Sequence, residues 1–164
     1  MIFAAVFATG CSYNGRFAAH AEPTRISAWL AYWDLDAGEK DLAKIGDKLE
    51  KLSYFGAYFD KNGRVFVPQE LSDKKRNLDK NKGKYETYLT FVNDRGNPDG
   101  SIVVKDKEII GKLFADDASM TKHIDEIIAL TLQGGYSGVE IDYERIWTDE
   151  KIGRSFVRFV DALY

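Results

Sequence analysis

The sequence predicts an α/β protein of the (β/α)8 TIM-barrel type, and its 164 residues contain about the first four β/α units. Four short apolar segments alternate with segments whose apolar residues recur at helical spacing, an order typical of a parallel sheet with helical crossovers. Each apolar segment also ends in polar residues, and barrels carry their functional side chains at this end of their strands. The four strand ends are Trp33-Asp34, Phe59-Asp60, Asn93-Asp94 and Tyr143-Glu144.

The first unit begins with a buried strand. Ile26 to Trp33 is a nearly continuous apolar run, as expected for a strand covered on both faces. Asp36, with Glu39 three residues later, resembles a capping box that begins a helix. Apolar residues then recur at helical spacing, at Leu42, Ile45, Leu49 and Leu52. The first unit is therefore a strand followed by a helix that continues to Leu52.

The second unit has another aromatic strand and a hairpin. The strand is Tyr54 to Phe59, and Asn62-Gly63 is a hairpin turn signal before a short return strand at Val65 to Val67. In the charged segment from Asp73 to Lys84, basic residues outnumber acidic ones. This segment is interpreted as a solvated helix or loop, with contact to an anionic cell-wall polymer as the alternative.

The third unit combines one strand with two helices. The strand runs from Tyr85 to Val92, and helices are predicted near Glu108 to Phe114 and from Ser119 to the terminating pair Gly134-Gly135. His123 is interpreted as a surface or capping residue. The inward face of the second helix carries Met120, Ile124, Ile127, Ile128 and Thr131.

The fourth strand, Gly138 to Glu144, carries Glu140, Asp142 and Glu144 in alternation with apolar residues. Strand geometry sends all three carboxyl groups to one side. Burying adjacent carboxylates costs several kcal/mol per ion without compensation, so these groups are expected to line a cleft or a barrel interior. Interacting carboxylates titrate as a coupled set, in which at least one stays protonated above the ordinary pKa and can serve as a general acid.

A last helix runs to the C-terminus and is expected to be capped by Thr148 or Asp149. Tyr143 alternates away from the acids and is expected to pack in the core. The inward residues of the helix are Ile152, Phe156, Phe159, Val160 and Leu163.

Residues Ser137-Gly138-Val139-Glu140-Ile141-Asp142-Tyr143-Glu144 resemble the fourth-strand signature of glycoside hydrolase family 18, D-G-x-D-x-D-x-E. The resemblance covers about Arg25 to Tyr164 and looks closest to bacterial spore-cortex and cell-wall members. It implies that Glu144 is the general acid and that Asp142 orients the 2-acetamido group of the substrate and stabilises an oxazolinium intermediate. It also implies that Glu140 shares a proton with its neighbour. Ser137 and Glu140 depart from the signature, because each replaces an aspartate.

The resemblance implies a glycoside hydrolase that acts on β-linked N-acetylglucosamine polymers, peptidoglycan or chitin, by substrate-assisted retaining hydrolysis. This chemistry requires no metal and no cofactor. Substrate contacts are assigned to Asn93 and to the rings of Tyr32, Trp33 and Tyr58, which are suited to stack on sugars. Core packing is the alternative for these aromatic residues.

Other interpretations also fit the sequence. The departures at Ser137 and Glu140 fit a barrel that binds glycan without cleaving it. Four units are half of a barrel, which usually takes about 250 residues, and this fits an inactive truncated fragment that associates with itself or with a missing C-terminal half. An open, doubly wound sheet is the alternative to a barrel.

Charge and composition narrow the choice of partner. The net charge is -3 with acids and bases interspersed, which gives no general attraction to nucleic acid or anionic lipid. One cysteine and two histidines exclude a disulfide within the chain and an ordinary Cys/His zinc site. No apolar stretch approaches the roughly 18 residues of a transmembrane segment. The partner that the resemblance implies is a polysaccharide substrate.

Residues 1–21 differ from the span 25–164, which is interpreted as one partial catalytic domain. Ile2 to Ala8 is apolar and runs into Ala8-Thr9-Gly10-Cys11, which resembles a lipoprotein cleavage site, while Ala19-His20-Ala21 is a competing signal-peptidase site. A secreted or cell-envelope location is therefore expected, with Cys11 as a site of lipid attachment. No basic residue precedes the apolar run, so the alternative is an N-terminal strand or tail with a free thiol.

Overall fold

The computed structural model describes residues 25–45, 48–80 and 85–164. The strands are β1 (Ile26–Ala31), β2 (Leu49–Phe59), β3 (Val65–Phe66), β4 (Glu86–Gly96), β5 (Ile102–Val103) and β6 (Gly138–Asp142). The helices are α1 (Leu35–Ile45), α2 (Gln69–Asp79), α3 (Lys107–Leu113), α4 (Asp117–Gln133) and α5 (Glu150–Leu163). The predicted leader with Cys11, and the last four residues of the charged segment, lie outside the described residues.

Four parallel strands form the sheet in the order β1-β2-β4-β6, which is also their order along the chain. The short strands β3 and β5 return antiparallel on the ends of β2 and β4. Helix α1 connects β1 to β2, α2 connects β2 to β4, and α3 with α4 connects β4 to β6. This confirms the predicted α/β fold with four β/α units.

One boundary of the first unit differs from the prediction. Helix α1 ends at Ile45, and Leu49 and Leu52 lie in β2 and are buried. The pairing with β1 shifts register at this point, which leaves Glu50 as an extra residue. Such a bulge lets two strand residues three positions apart point to the same side. The spacing that suggested a helix is therefore the spacing of a bulged strand.

The core lies between the sheet and the helices. Helix α1 approaches β1 closely because residue 38 is a glycine, where a Cβ atom would lie 2.3 Å from Cδ1 of Leu30. Helices α3, α4 and α5 each begin at an aspartate whose carboxylate accepts hydrogen bonds from backbone N–H groups of the first turn. The largest fully buried apolar side chains include Tyr54, Phe59, Phe91, Phe159, Leu30, Leu52, Leu89 and Ile127.

Two residues predicted to face the core are exposed instead. Ile128 of α4 and Val160 of α5 are 43% and 44% exposed. Each follows a residue that is fully buried, Ile127 and Phe159 respectively. One step along a helix rotates a side chain by about 100°, so the second apolar residue of each pair leaves the buried face.

His123 is buried, so its predicted surface position is wrong. It is 1% exposed, and its Nε2 lies 2.7 Å from the hydroxyl oxygen of Tyr143. Its ring stacks on those of Tyr143 and Phe159, which confirms that Tyr143 packs in the core. Burial lowers the pKa of His123 to about 4, so the ring is neutral at pH 7. The helical position of His123 did not reveal this, because α5 and β6 cover it from distant parts of the chain.

The charged segment forms part of α2 and is less solvated than predicted. The Nζ of Lys74 lies 2.9 Å from a carboxylate oxygen of Asp36 and 2.7 Å from one of Glu39, which ties α2 to α1. Lys75 is buried, with its Nζ 4.7 Å from the ring centroid of Tyr136. Within the described ranges, no helix has the length and apolar character needed to cross a membrane.

Candidate functional site

The three predicted acids lie along one face at the carboxyl end of β6. Glu140 and Asp142 belong to the strand, and Glu144 follows it by two residues. The alternate residues Val139 and Ile141 pack against the core on the helix-covered side. The acids therefore occupy the opposite face of the sheet, where each remains partly exposed.

Glu140 is held by residues from the other three parallel strands. Nε1 of Trp29 in β1 donates to both carboxylate oxygens at 3.2 and 3.1 Å. The hydroxyl of Thr90 in β4 donates to Oε2 at 3.2 Å, and Nζ of Lys51 in β2 lies 3.6 Å from the same oxygen. These contacts fix the inner end of the row and suit a carboxylate that acts as an acceptor.

Asp142 lies between the other two acids and interacts electrostatically with both. Its burial, followed by the charges of Glu144 and Glu140, raises the pKa of Asp142 above its usual value. Lys105 opposes this shift, and Asp94 adds to it. The middle carboxyl therefore holds its proton to a higher pH than an ordinary aspartate does.

Glu144 is positioned through its backbone by Asn93. The Asn93 Nδ2 donates to the carbonyl oxygen of Glu144 at 3.0 Å, and the Glu144 N–H donates to Asn93 Oδ1 at 2.8 Å. Asn93 is 1% exposed. We predicted a substrate contact for this residue, but its amide is occupied in orienting Glu144.

Lys105 contacts the side chain of Glu144. Its ammonium group forms an ion pair with Glu144 Oε2. Lys105 lies between β5 and α3 with a φ of 55°, and its N–H donates to Asp94 Oδ1 at 2.8 Å. Arg145, directly after Glu144, also has a positive φ of 60°. Side-chain-bearing residues in this conformation are uncommon and cluster at functional sites.

An aromatic strip extends from Glu140 along the top of β1 and β2. We define it as Trp29, Tyr32, Trp33, Phe55 and Tyr58. Successive ring centroids lie 5.6 Å apart for Trp29 and Phe55, 5.5 Å for Phe55 and Trp33, 5.1 Å for Trp33 and Tyr32, and 5.5 Å for Tyr32 and Tyr58. β1 ends at Ala31, so Tyr32 and Trp33 lie in a 3-10 turn and not in the predicted strand. This turn leaves Trp33 62% exposed.

No family model matches this chain, and no curated protein matches its sequence. Among solved structures, the spore cortex-lytic enzyme SleL of Bacillus cereus superposes with a TM-score of 0.65 at 16% identity, over 84% of this chain and 31% of that chain. A class V chitinase from Pseudomonas fluorescens Pf-5 superposes with a TM-score of 0.65 at 18% identity, over 84% of this chain and 39% of that chain. For a GH18 chitinase from Cycas revoluta in complex with (GlcNAc)3 the TM-score is 0.61 at 18% identity, again over 84% of this chain and 39% of that chain.

The fold is that of GH18 chitinases. This confirms the fold inferred from the strand signature. The chain spans only about a third of the length of these GH18 structures, 31% to 39%. At these identities the likeness shows the fold alone.

The two departures from the GH18 strand signature have distinct surroundings. Ser137 lies where the signature has its first aspartate, and it extends the pairing with β4. Its N–H donates to the Thr87 carbonyl at 2.6 Å, and its Oγ accepts from the Thr87 N–H at 3.3 Å. Glu140 lies where the signature has its second aspartate, and its longer side chain reaches Trp29 of β1.

Several residues of the site had no detectable sequence signal. They include Lys51, Thr90 and Lys105, which lie in three separate segments of the chain, and only the assembled sheet brings them to the acids. Trp29 was detectable in principle, because it alternates with the buried Ala28 and Leu30 on β1. Among the described residues, no group of three or more His, Cys, Asp or Glu side chains is arranged to hold a metal ion.

Proposed function

We propose that this chain carries the catalytic acids of a glycoside hydrolase that cleaves β-linked N-acetylglucosamine polymers by substrate-assisted retaining hydrolysis. The observation that carries the proposal is the row of three carboxyl groups on one face of β6, in which the pKa of the central Asp142 is raised. The GH18 fold supports it. Both peptidoglycan and chitin contain the required 2-acetamido sugar.

In the first step Glu144 gives its proton to the glycosidic oxygen of the leaving sugar. The carbonyl oxygen of the substrate's own 2-acetamido group attacks the anomeric carbon as the glycosidic bond breaks, and this forms a cyclic oxazolinium ion. Asp142 orients the acetamido group and balances the positive charge of the ion. Water then adds to the anomeric carbon and returns a proton to Glu144, so the acid is regenerated.

A single row of acids supports this mechanism over an inverting one. In an inverting glycosidase the two carboxyl groups act from opposite sides of the sugar. Here Glu140, Asp142 and Glu144 follow one another on one face of one strand. The contacts of Glu140 with Trp29 and Thr90 favour an auxiliary role for this residue. Glu140 shares the proton of Asp142 and accepts it when Asp142 becomes the carboxylate that balances the oxazolinium ion.

The aromatic strip supports a sugar polymer as the substrate. The flat faces of aromatic rings pack on apolar faces of sugars, and the ring of Trp33 in the middle of the strip is 62% exposed. The Cycas revoluta structure with the same fold contains (GlcNAc)3. We therefore assign Tyr32, Trp33 and Tyr58 to substrate binding.

A glycan-binding protein without hydrolytic activity is the second candidate. The specific observation that favours it is the ion pair between Glu144 and Lys105, because an ion-paired carboxylate is not a proton donor. The replacement of the first aspartate of the signature by Ser137 also favours a binding protein without hydrolytic activity.

The acid-bearing face and residues 1–21 suggest how the protein assembles and where it is located. The acid-bearing face of the sheet also exposes the apolar rings of Trp29 and Trp33, at 39% and 62%. We propose that this face associates with a further polypeptide, either a C-terminal half barrel or a second copy. We also propose export to the cell envelope, from the leader-like residues 1–21 and Cys11.

The experiment that tests the proposed function measures reducing ends released from chitooligosaccharide and from peptidoglycan, together with binding of each glycan. Glu144→Gln keeps the size of the side chain and removes its proton, whereas Glu108→Gln makes the same change at an exposed residue of α3. Cleavage by wild type and by Glu108→Gln, but not by Glu144→Gln, supports the hydrolase. Binding of either glycan without cleavage by the wild type overturns it in favour of the binding protein.

A further inference from the structure

The row of acids is flanked by a lysine at each end. Nζ of Lys51 lies 3.6 Å from Glu140, and the Lys105 ammonium pairs with Glu144. Lys51 also lies 4.3 Å from the ring centroid of Tyr88, so it is held by two contacts. Lys105, in contrast, makes its side-chain ion pair with Glu144 at the open end of the row.

The backbone of Lys105 is fixed, while its ammonium group is accessible. Its own N–H is bound to Asp94, and the N–H of the next residue, Asp106, donates to the carbonyl of Asn93 at 2.7 Å. The side chains of Lys105 and Glu144 are 43% and 44% exposed. A ligand that reaches Glu144 therefore also reaches the ammonium group.

Protonation of Glu144 leaves the ammonium group of Lys105 without a counter-ion. When Glu144 carries the proton that it donates to the leaving group, it no longer neutralises Lys105. The cation then lies beside a neutral carboxyl and is free to pair with another anion. Of the remaining acids, Asp142 interacts with Lys105 but is occupied by the acetamido group in the proposed mechanism, and Asp94 already accepts a hydrogen bond from the Lys105 N–H. An anionic group on the substrate meets this requirement.

We infer that Lys105 is a specificity-determining residue that selects 2-acetamido glycans bearing carboxylate groups over neutral ones. This rests on the proposed function, because it requires a protonated Glu144 at the reacting sugar. Of the two polymers, peptidoglycan carries carboxylates on its peptides and on lactyl ethers that bear no peptide, and chitin carries none. Lys105 thus assigns the site to the acidic polymer.

The test uses equilibrium binding of two oligosaccharides of equal length. One is a neutral N-acetylglucosamine oligomer, and the other alternates N-acetylglucosamine with N-acetylmuramic acid that has a free carboxylate. Glu144→Gln imitates the protonated acid and leaves Lys105 without its partner. We expect this variant to prefer the acidic oligomer, and we expect Glu144→Gln/Lys105→Gln to lose about tenfold of that preference, about 1.4 kcal/mol.

Two further variants separate charge from other effects. Glu144→Gln/Lys105→Arg keeps the cation and retains the preference. Glu144→Gln/Lys112→Gln removes an exposed lysine of α3 with the same change in net charge and also retains it. Raising the ionic strength reduces the difference in binding affinity between the two oligomers, because salt screens the exposed charge of Lys105.

The outcomes distinguish the inference from the function on which it rests. If Glu144→Gln and Glu144→Gln/Lys105→Gln show the same preference for the acidic oligomer and the wild type cleaves glycan, the role of Lys105 is overturned. The proposed hydrolase activity is unaffected by that result. If neither oligomer is bound or cleaved by the wild type, the proposed function fails, and the inference fails with it.

Discussion

The side-chain amide of Asn93 in β4 bonds to both the N–H and the carbonyl oxygen of Glu144, the residue that follows β6 by two positions. The distances are 2.8 and 3.0 Å, and the amide is buried. One side chain thus continues the pairing of two neighbouring strands beyond the point where β6 ends. It fixes the direction in which the Glu144 side chain leaves the sheet.

Replacing Asn93 with alanine should destabilise the fold and displace Glu144. The N–H and the carbonyl oxygen of Glu144, both part-buried, lose their partners, and we expect the free energy of unfolding to fall by about 2 kcal/mol. Urea unfolding followed by circular dichroism measures this change. Asn62→Ala, at an exposed residue of the β2–β3 turn, is the matched control and should cost far less. Equal losses in the two variants would contradict the account.

Asp142→Asn should stabilise the protein at neutral pH. The folded-state pKa of Asp142 lies above the ordinary 3.8, so the folded state binds more protons than the unfolded state between these two values. Its ionisation therefore lowers stability as pH rises from 3.8 through the folded pKa. The gain from Asp142→Asn should be present at pH 7 and vanish below pH 3.8. Urea unfolding at both pH values measures it.

Asp106→Asn provides a control of opposite sign. Burial raises the pKa of Asp106, but the hydrogen bond from Arg95 and those from the N–H groups of Glu108 and Ile109 outweigh it, and the net shift is downward. This carboxylate stabilises the fold above its unfolded pKa, and the stabilisation is lost as pH falls through the folded pKa. Its substitution should therefore be destabilising at pH 7. A stabilised Asp106→Asn, or a destabilised Asp142→Asn, would reverse the assignment.

Burial of His123 should make the fold sensitive to acid between pH 6.5 and about 4. The unfolded state takes up a proton in this window and the folded state does not, so stability falls by about 3 kcal/mol as pH decreases across it. His123→Phe preserves the ring packing with Phe59 and Phe159 and should flatten this part of the pH profile. NMR titration of the His123 ring gives its pKa directly. A value near 6.5 would refute the burial argument.

Gly56→Ala should disturb the aromatic strip. Gly56 has a φ of 153°, and a Cβ atom there would lie 2.9 Å from Cβ and Cδ1 of Tyr32. We expect a loss of about 2 kcal/mol, because the ring must move out of a close contact. Gly135→Ala separates the two effects: its φ is also positive, at 64°, but a Cβ atom would meet nothing within 4 Å. Similar losses would show that backbone strain alone is responsible.

The acids of the site were predictable because a strand imposes a strict alternation. Glu140, Asp142 and Glu144 could only share a face, and the buried Tyr143 confirms the other side of that alternation. The order of the parallel strands was likewise predictable, because each apolar run was followed by helical spacing. In contrast, the segment around Leu49 and Leu52 was misassigned, since a bulge produces the same spacing as a helix.

The partners of the acids were not predictable, because they depend on register between distant segments. Lys105 contacts Glu144 across 39 residues of sequence. The contact depends on the positive φ of Lys105, which no local sequence pattern predicted. Trp29 reaches Glu140 across 111 residues. Asp60, one of the four polar strand ends, accepts from the backbone N–H groups of Asn62 and Arg64 and stabilises a hairpin. Polar strand ends therefore indicated the correct edge of the sheet without separating site residues from turn residues.

The central claim is that the substrate's own acetamido group attacks the anomeric carbon beside Glu144 and Asp142. The most direct measurement is proton NMR of the reducing end formed in the first minutes of cleavage of a β-linked N-acetylglucosamine oligomer. Two displacements at the same carbon should give the β-anomer first, and the N-deacetylated oligomer should stay intact. An α-anomer as the first product, or equal cleavage of the deacetylated oligomer, would contradict the account.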